Sequence, residues 1–347
     1  MRRVLLFTGV AIGILWNRAY GEGKLSGYLF GDFYYVAADH DTTLTSLEGQ
    51  NGFWIRRAYF TYDNDFEENF TARFRIEVNS PGDFKTSGLL NPYVKDAYVK
   101  WNPKGSRHSI LFGLSATPTW DLSESLYGYR SVEKTPLDIQ KFAGARDLGI
   151  AFQGSFDEEK KFGYHLLLAN GEGTKSETNK EKKAYLALDA KPTKSLVFQV
   201  YGDIEGGKME NMQIITLQGF AYLGGDPGRI GVLVARQTIG LGVDSAGADV
   251  DTSLILVSGF GVKRLSSKVS IFARGDLSLN GNVKITSVDY LPLDPTIKNT
   301  IVIVGFDYKL GEKVNILPNV EVVSYSVDVG EAPDADILAK LTVFYKF

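Results

Sequence analysis

Residues 70–78 read FTARFRIEV, and this stretch decides the fold class because apolar and polar side chains alternate along it. Only an extended strand separates such a sequence into two faces, because successive side chains of a strand point in opposite directions. Residues 268–280 repeat the pattern. One face of the first stretch carries Phe70, Ala72, Phe74, Ile76 and Val78, and the other carries Thr71, Arg73, Arg75 and Glu77.

The same period of two recurs along the chain and predicts sixteen β-strands. An even number of strands suits an antiparallel sheet whose first and last strands can meet. The predicted strands cover residues 24–37, 52–63, 68–79, 93–102, 107–115, 146–156, 160–170, 182–190, 194–204, 211–224, 229–240, 251–264, 268–280, 298–309, 313–327 and 336–347.

The connections alternate between short turns and longer loops. Barrels of the outer membrane have short turns at one end and long loops at the other, whereas a soluble sandwich has no reason to keep that order. A sheet placed in hydrocarbon must also close, because an open edge leaves backbone groups unpaired. We therefore predict an all-β, transmembrane antiparallel barrel with apolar side chains toward lipid and charged ones toward a water-filled lumen.

Both chain ends fit this prediction. Residues 1–21 combine a basic start, an apolar run and a small-residue cleavage site, and are interpreted as a signal peptide before a barrel domain at 22–347. The last strand alternates apolar residues and ends in an aromatic residue. Tyr345 and Phe347 are therefore interpreted as part of an outer-membrane assembly signal, which implies the barrel-assembly machinery as a partner. Aromatic residues near strand ends, namely Trp54, Tyr62, Trp101, Tyr308 and Tyr345, are expected in the interfacial girdles.

Composition argues against several classes of function. The formal net charge is −3, which disfavours a general nucleic-acid binder. The chain has no cysteine and three histidines without ligand spacing, so no metal site, no cofactor and no enzymatic activity are expected. His108 and Ser109 are adjacent on a predicted strand and would point to opposite faces, which excludes them as a base–nucleophile pair.

Several stretches together resemble the porin O/P family, also called phosphate-selective porins. Residues 52–60 (GFWIRRAYF) and 69–74 (NFTARF) resemble its second and third strands, and 95–99 (KDAYV) its fourth. Residues 146–151 (RDLGIA) resemble the strand after its long third loop, and the stretch from Tyr164 to Asn170-Gly171 resembles the next strand. The order of these motifs is the specific part of the likeness.

This resemblance implies a trimer of 16-stranded barrels whose third loop folds into the lumen. Here that loop would be residues 116–145, the longest connection, although a lid outside the barrel remains an alternative. The predicted pore residues are Arg57, Arg73, Arg75, Glu77, Asp96, Glu124, Tyr127, Arg130, Glu133, Lys134, Asp138 and Lys141. Basic and acidic members nearly balance, so the sequence predicts a porin more firmly than a phosphate site. The strand arginines could instead pair with Glu77 and Asp96 as salt bridges of the wall.

The sequence thus favours passive diffusion of small hydrophilic solutes or ions, with anions such as phosphate one option, across a bacterial outer membrane. Expected partners are outer-membrane lipid and lipopolysaccharide, and the expected assembly is a homotrimer. Two rivals remain: a non-conducting barrel with an adhesive or structural role, and a soluble secreted β-sandwich that binds glycans.

Overall fold

The computed structural model describes residues 23–207 and 211–347, which form one closed antiparallel barrel. The predicted signal peptide, residues 1–21, lies outside the described residues. The described part of the chain contains sixteen strands: β1 (Lys24–Ala38), β2 (Asn51–Glu67), β3 (Phe70–Asn79), β4 (Asn91–Trp101), β5 (His108–Ala116), β6 (Arg146–Ser155), β7 (Phe162–Ala169), β8 (Lys183–Ala190), β9 (Leu196–Glu205), β10 (Ile214–Gly224), β11 (Gly228–Val243), β12 (Asp249–Arg264), β13 (Val269–Ser278), β14 (Lys298–Lys309), β15 (Val314–Ser326) and β16 (Asp336–Lys346).

Each strand pairs with its neighbours in sequence, and β1 pairs with β16 to close the sheet. The backbone of the last residue continues this seam, because Phe347 N donates to Gly27 O at 3.0 Å and Gly27 N donates to Phe347 O at 3.2 Å. The sixteen-stranded antiparallel barrel predicted from the period of two is therefore confirmed. In the described residues no helix is long and apolar enough to cross a membrane.

The outer surface of the barrel is apolar around its circumference. Phe74 is 45% exposed, Val232 53% and Val304 42%, although these residues lie on widely separated strands. Residues on the other face of the same strands point inward. Glu77 on the strand of Phe74 and Gln237 on the strand of Val232, for example, are fully buried. Soluble proteins rarely expose a continuous apolar surface of this extent, so the alternation has the orientation of a barrel in lipid rather than that of a sandwich with a dry core.

Two β-bulges interrupt the alternation on neighbouring parts of the wall. Phe30 pairs with Arg57 and the next residue of β1 pairs with Ile55, so Arg56 is an extra residue in β2. In β4 the extra residue is Lys95. A bulge turns two successive side chains toward the same face. As a result Arg56 and Arg57, and likewise Lys95 and Asp96, all point into the barrel.

The interior is asymmetric because β1 and β12–β16 carry apolar side chains inward. Val36, Phe272, Ile303 and Leu338 are at most 1% exposed and form one cluster with residues of two inserted loops. The first loop, residues 117–145, contains α1 (Asp121–Tyr127) and α2 (Pro136–Ile139). The second loop joins β13 to β14. Apolar burial therefore anchors parts of both loops against this side of the barrel, whereas the wall formed by β2–β4 is polar.

One predicted girdle residue is placed differently. Trp54 points into the barrel, where its Nε1 donates to Asp32 Oδ2 at 2.9 Å and its ring stacks on Tyr34 at 4.1 Å. The prediction was wrong because Trp54 shares the face of Arg56, which the bulge makes inward. Tyr62, Trp101, Tyr308 and Tyr345 are each about 40% exposed.

Candidate functional site

Two cavities follow one another through the barrel. The upper cavity, about 570 Å³, opens between the long loops and is lined by β2–β4, the start of β6 and both inserted loops. The lower cavity, about 820 Å³, opens at the short turns and is lined by β1, β14–β16 and part of the first inserted loop. Tyr28, Glu124 and Arg130 line both cavities, so these three residues lie at the boundary between them.

The local fold of the first loop places the two charged residues of this junction side by side. Helix α1 ends at Tyr127 and is capped by Gly128. This glycine has a left-handed φ of 79° and donates its N–H to Glu124 O at 2.9 Å. Glycine adopts this conformation without the steric cost of a Cβ. The reversal brings Arg130 Nε to 3.2 Å from Glu124 Oε2, while Arg130 Nη2 lies 3.6 Å from Asp138 Oδ2.

Opposite this loop, the polar wall holds four cations against two carboxylates. Arg57 and Lys95 share Glu77, with Lys95 Nζ 3.0 Å from Glu77 Oε2. Arg75 and Arg146 share Asp96, with Arg75 Nη1 3.0 Å from Asp96 Oδ2. This polar wall is defined by these six residues, and it has a surplus of two positive charges. Both carboxylates are almost completely buried behind their cations.

The tip of the first loop is held by a buried ionic network. Arg56 Nη2 donates to Ser131 O, and Arg56 Nε lies 2.6 Å from Asp32 Oδ2. Lys340 Nζ donates to Val132 O at 3.0 Å and to Glu321 Oε1 at 2.6 Å. These side chains come from strands on either side of the β1–β16 seam. They bind the backbone of the loop, which therefore lies inside the barrel.

Further along the same loop, charged side chains face the upper cavity. Burial by itself raises the pKa of the Asp138 carboxyl, but Lys134 and Arg130 outweigh it and hold that pKa at about 2. Burial lowers the pKa of the Lys134 ammonium to about 8. Altogether nine basic and six acidic residues line the upper cavity, so its lining carries an excess of positive charge.

The predicted pore residues divide into three groups. The first group lines the upper cavity and contains Arg57, Glu124, Arg130, Lys134, Asp138 and Lys141. The second group lies behind the cavity surface in ion pairs and contains Arg75, Glu77, Asp96 and Glu133. The third group lies apart: Arg73 binds Asp63 near a short turn, and Tyr127 packs on Phe260. The wall salt bridges considered as an alternative are present for Arg57 and Arg75, whereas Arg73 has another partner.

Sequence reasoning missed several residues that point into the barrel. Arg56 and Lys95 follow an uninterrupted alternation onto the lipid side, and only the bulges bring them inside. A charge at an apparently lipid-facing position was the available signal, because such a charge is costly in a barrel wall. Lys284 and Asp289 belong to the second inserted loop, whose length alone gave no indication that it enters the barrel.

No protein-family model matches the sequence, and no curated protein sequence is significantly similar to it. Solved structures are similar in fold. The anion-selective porin from Comamonas acidovorans superimposes with a TM-score of 0.68 at 11% identity, over 94% of this chain and 99% of that chain. The trimer form of in-vitro folded OmpT, an outer-membrane protein of Vibrio cholerae, gives a TM-score of 0.61 at 12% identity, over 94% and 99%.

OmpF of Salmonella typhi, in a complex with daunomycin, is a third similar structure. Its TM-score is 0.62 at 10% identity, over 94% of this chain and 97% of that chain. At such identities the likeness establishes the porin fold. The narrower resemblance to the porin O/P family rests on the sequence motifs alone.

Proposed function

We propose that this protein is a porin of a bacterial outer membrane, which lets small hydrophilic solutes and ions diffuse through its barrel. The observation that carries the proposal is the polar passage inside an apolar cylinder. The upper and lower cavities share Tyr28, Glu124 and Arg130, and together their linings extend from the long loops to the short turns. The outward-facing apolar side chains provide a surface for lipid.

We further propose a preference for small anions. The polar wall retains two positive charges after its ion pairs are counted, and the upper cavity has more basic than acidic lining residues. An ion that passes between this wall and the first loop comes close to the excess positive charge. Charges near a protein surface are screened less than charges in bulk water, so anions would be attracted. Phosphate is one anion of suitable size and charge.

The proposal includes the surroundings of the barrel. Outer-membrane lipid and lipopolysaccharide would contact the apolar exterior, and the barrel-assembly machinery would recognise Tyr345 of β16 and the following Phe347. A homotrimer is proposed from the porin fold, since a similar solved structure has a trimer form. Transport by this mechanism is passive diffusion and needs neither a cofactor nor a catalytic residue.

Planar-bilayer recording of the purified protein under a KCl gradient tests the proposal. We expect discrete conductance steps and a reversal potential on the anion-selective side. Arg146→Gln should lower the anion-to-cation permeability ratio, because it removes a cation of the polar wall. Arg73→Gln is the matched control, since Arg73 lines neither cavity and is paired with Asp63.

Three outcomes would count against this function. A membrane-inserted protein without conductance steps would favour a non-conducting structural barrel. A protein that stays soluble without detergent would reject the outer-membrane location. Steps with cation selectivity would keep the porin and reject the anion preference.

A further inference from the structure

We propose that the loop between β13 and β14, residues 281–297, is a second constriction element, and that its Asp289 sets the charge selectivity by masking Lys134 and Lys141. This inference rests on the proposed channel function and concerns the upper cavity. The pore residues predicted from the sequence belong to the strands and to residues 116–145, and this inference adds a second loop to them.

The second loop crosses the interior of the barrel. It starts from β13, yet Tyr290 N donates to Gly82 O at 2.6 Å and the Tyr290 hydroxyl donates to Ser80 O, both just beyond β3. Around the barrel, five strands separate β13 from β3 by the shorter way. The Tyr290 ring also meets Trp54 of β2 edge-on, with ring centroids 4.9 Å apart. The loop therefore spans the passage rather than lying along the rim.

Specific packing fixes the crossing. Val288, Tyr290, Leu291 and Leu293 are at most 4% exposed. Only glycine fits at position 82. A Cβ there would lie 2.6 Å from the Tyr290 ring, and the backbone has a φ of +80°. The loop is thus packed specifically against the opposite wall, at the residues that follow β3.

The crossing loop is also tied to the first inserted loop. Asn282 Nδ2 donates to Gln140 O at 2.7 Å, and Lys284 Nζ donates to Gln237 Oε1 of β11 at 2.6 Å. Asn282 and Lys284 thus bind the loop near its start, and Tyr290 binds it at the far wall. The two loops together form the inner rim of the upper cavity.

The position of the crossing loop brings Asp289 next to two basic side chains of the first loop, Lys134 and Lys141. Asp289 Oδ2 lies 3.1 Å from Lys134 Nζ and 3.6 Å from Lys141 Nζ, and all three residues line the upper cavity. The Asp289 side chain is 47% exposed, so its charge faces the passage while it pairs with the lysines. The Asp289 carboxylate and the two lysine ammonium groups together therefore carry a net charge of one positive unit.

The test is Asp289→Asn in the full-length protein, recorded in planar bilayers under a KCl gradient at pH 6.5. We expect the anion-to-cation permeability ratio to rise roughly three- to tenfold, because a unit charge within several ångströms of the ion path is removed and is only partly screened. Asp289→Glu should keep the ratio of the unchanged protein. Asp294→Asn is the matched control, because it removes the same charge from the same loop at a residue that binds Thr296 and lines neither cavity.

Tyr290→Phe tests the constriction separately from the charge. It removes only the hydroxyl that binds Ser80, so we expect a larger single-channel conductance as the loop loosens. If the unchanged protein conducts, an unaltered ratio in Asp289→Asn or an effect of equal size in Asp294→Asn would overturn the masking by Asp289 and leave the channel function intact. If the unchanged protein does not conduct, the proposed function itself fails.

Discussion

Glu133→Gln should loosen the first inserted loop, because Glu133 is the loop's own member of the buried ionic network. Its Oε2 lies 3.4 Å from both Arg56 Nη1 and Lys340 Nζ, and its side chain is 1% exposed. The neutral amide keeps the shape of the side chain and removes its charge. The tip of the loop would then lose its own charged contact with Arg56 and Lys340 and keep their hydrogen bonds to its backbone.

The size of the effect follows from the geometry. Removing one partner of a buried ion pair typically costs about 3–5 kcal/mol. Here the cost should be lower, about 2 kcal/mol, because both contacts are long and both cations keep a second carboxylate. Arg56 retains Asp32 at 2.6 Å, and Lys340 retains Glu321 at 2.6 Å. A change of about 2 kcal/mol corresponds to a roughly 30-fold shift in the equilibrium between seated and released loop.

Single-channel recording measures this shift directly. We expect open-channel noise to increase, with substates occupied roughly 30-fold more often than in the unchanged protein. Glu158→Gln is the matched control, because Glu158 is an exposed acid of a short turn. If Glu133→Gln shows the same noise and dwell times as this control, Glu133 does not hold the loop, and the role assigned to the buried network is refuted.

Three further predictions concern pH and assembly. Burial lowers the pKa of Lys134 and of Lys284 to about 8, so both lose their charge as the pH rises from 7 to 9. The reversal potential should move toward cations over that range, and an unchanged value would contradict the prediction. The hydrogen bond to Asp336 raises the pKa of His40 above its usual value of about 6.5. Its stabilisation is therefore complete below about pH 6.5 and is lost as the pH rises through the raised pKa, so the thermal unfolding midpoint should fall between pH 6 and 8.5. In His40→Asn that dependence should disappear, and its persistence would reject the assignment. Phe347→Ala should reduce the amount of folded, heat-modifiable barrel in the membrane fraction, whereas an undiminished amount would show that the terminal ring is not an assembly signal.

The architecture could be predicted from the sequence because it depends on local alternation. In 70–78 the apolar and charged residues are sorted by a period that only a strand has, and the same period at short intervals gave the sixteen strands. The alternation of short and long connections gave the two ends of the barrel. These features need no knowledge of distant contacts.

The candidate site was predicted only in part, because its residues meet through distant contacts. Residues of the first loop such as Glu124 and Arg130 could be named from loop length and charge, but their position at the junction of the cavities depends on the reversal at Gly128. Arg56 and Lys95 required the bulges, which shift pairing by one residue and were indicated in the sequence only by a charge at an apparently lipid-facing position.

The sequence by itself determined the strand count, the closure of the sheet and the outward orientation of the apolar face, since each follows from periodicity and from the need to pair every backbone group in hydrocarbon. Only the tertiary structure decided where the passage runs. The apolar inner face of β12–β16 anchors apolar residues of both loops, and Asp289 of the second loop pairs with Lys134 of the first. Such pairings join residues 155 positions apart, and no local pattern specifies them.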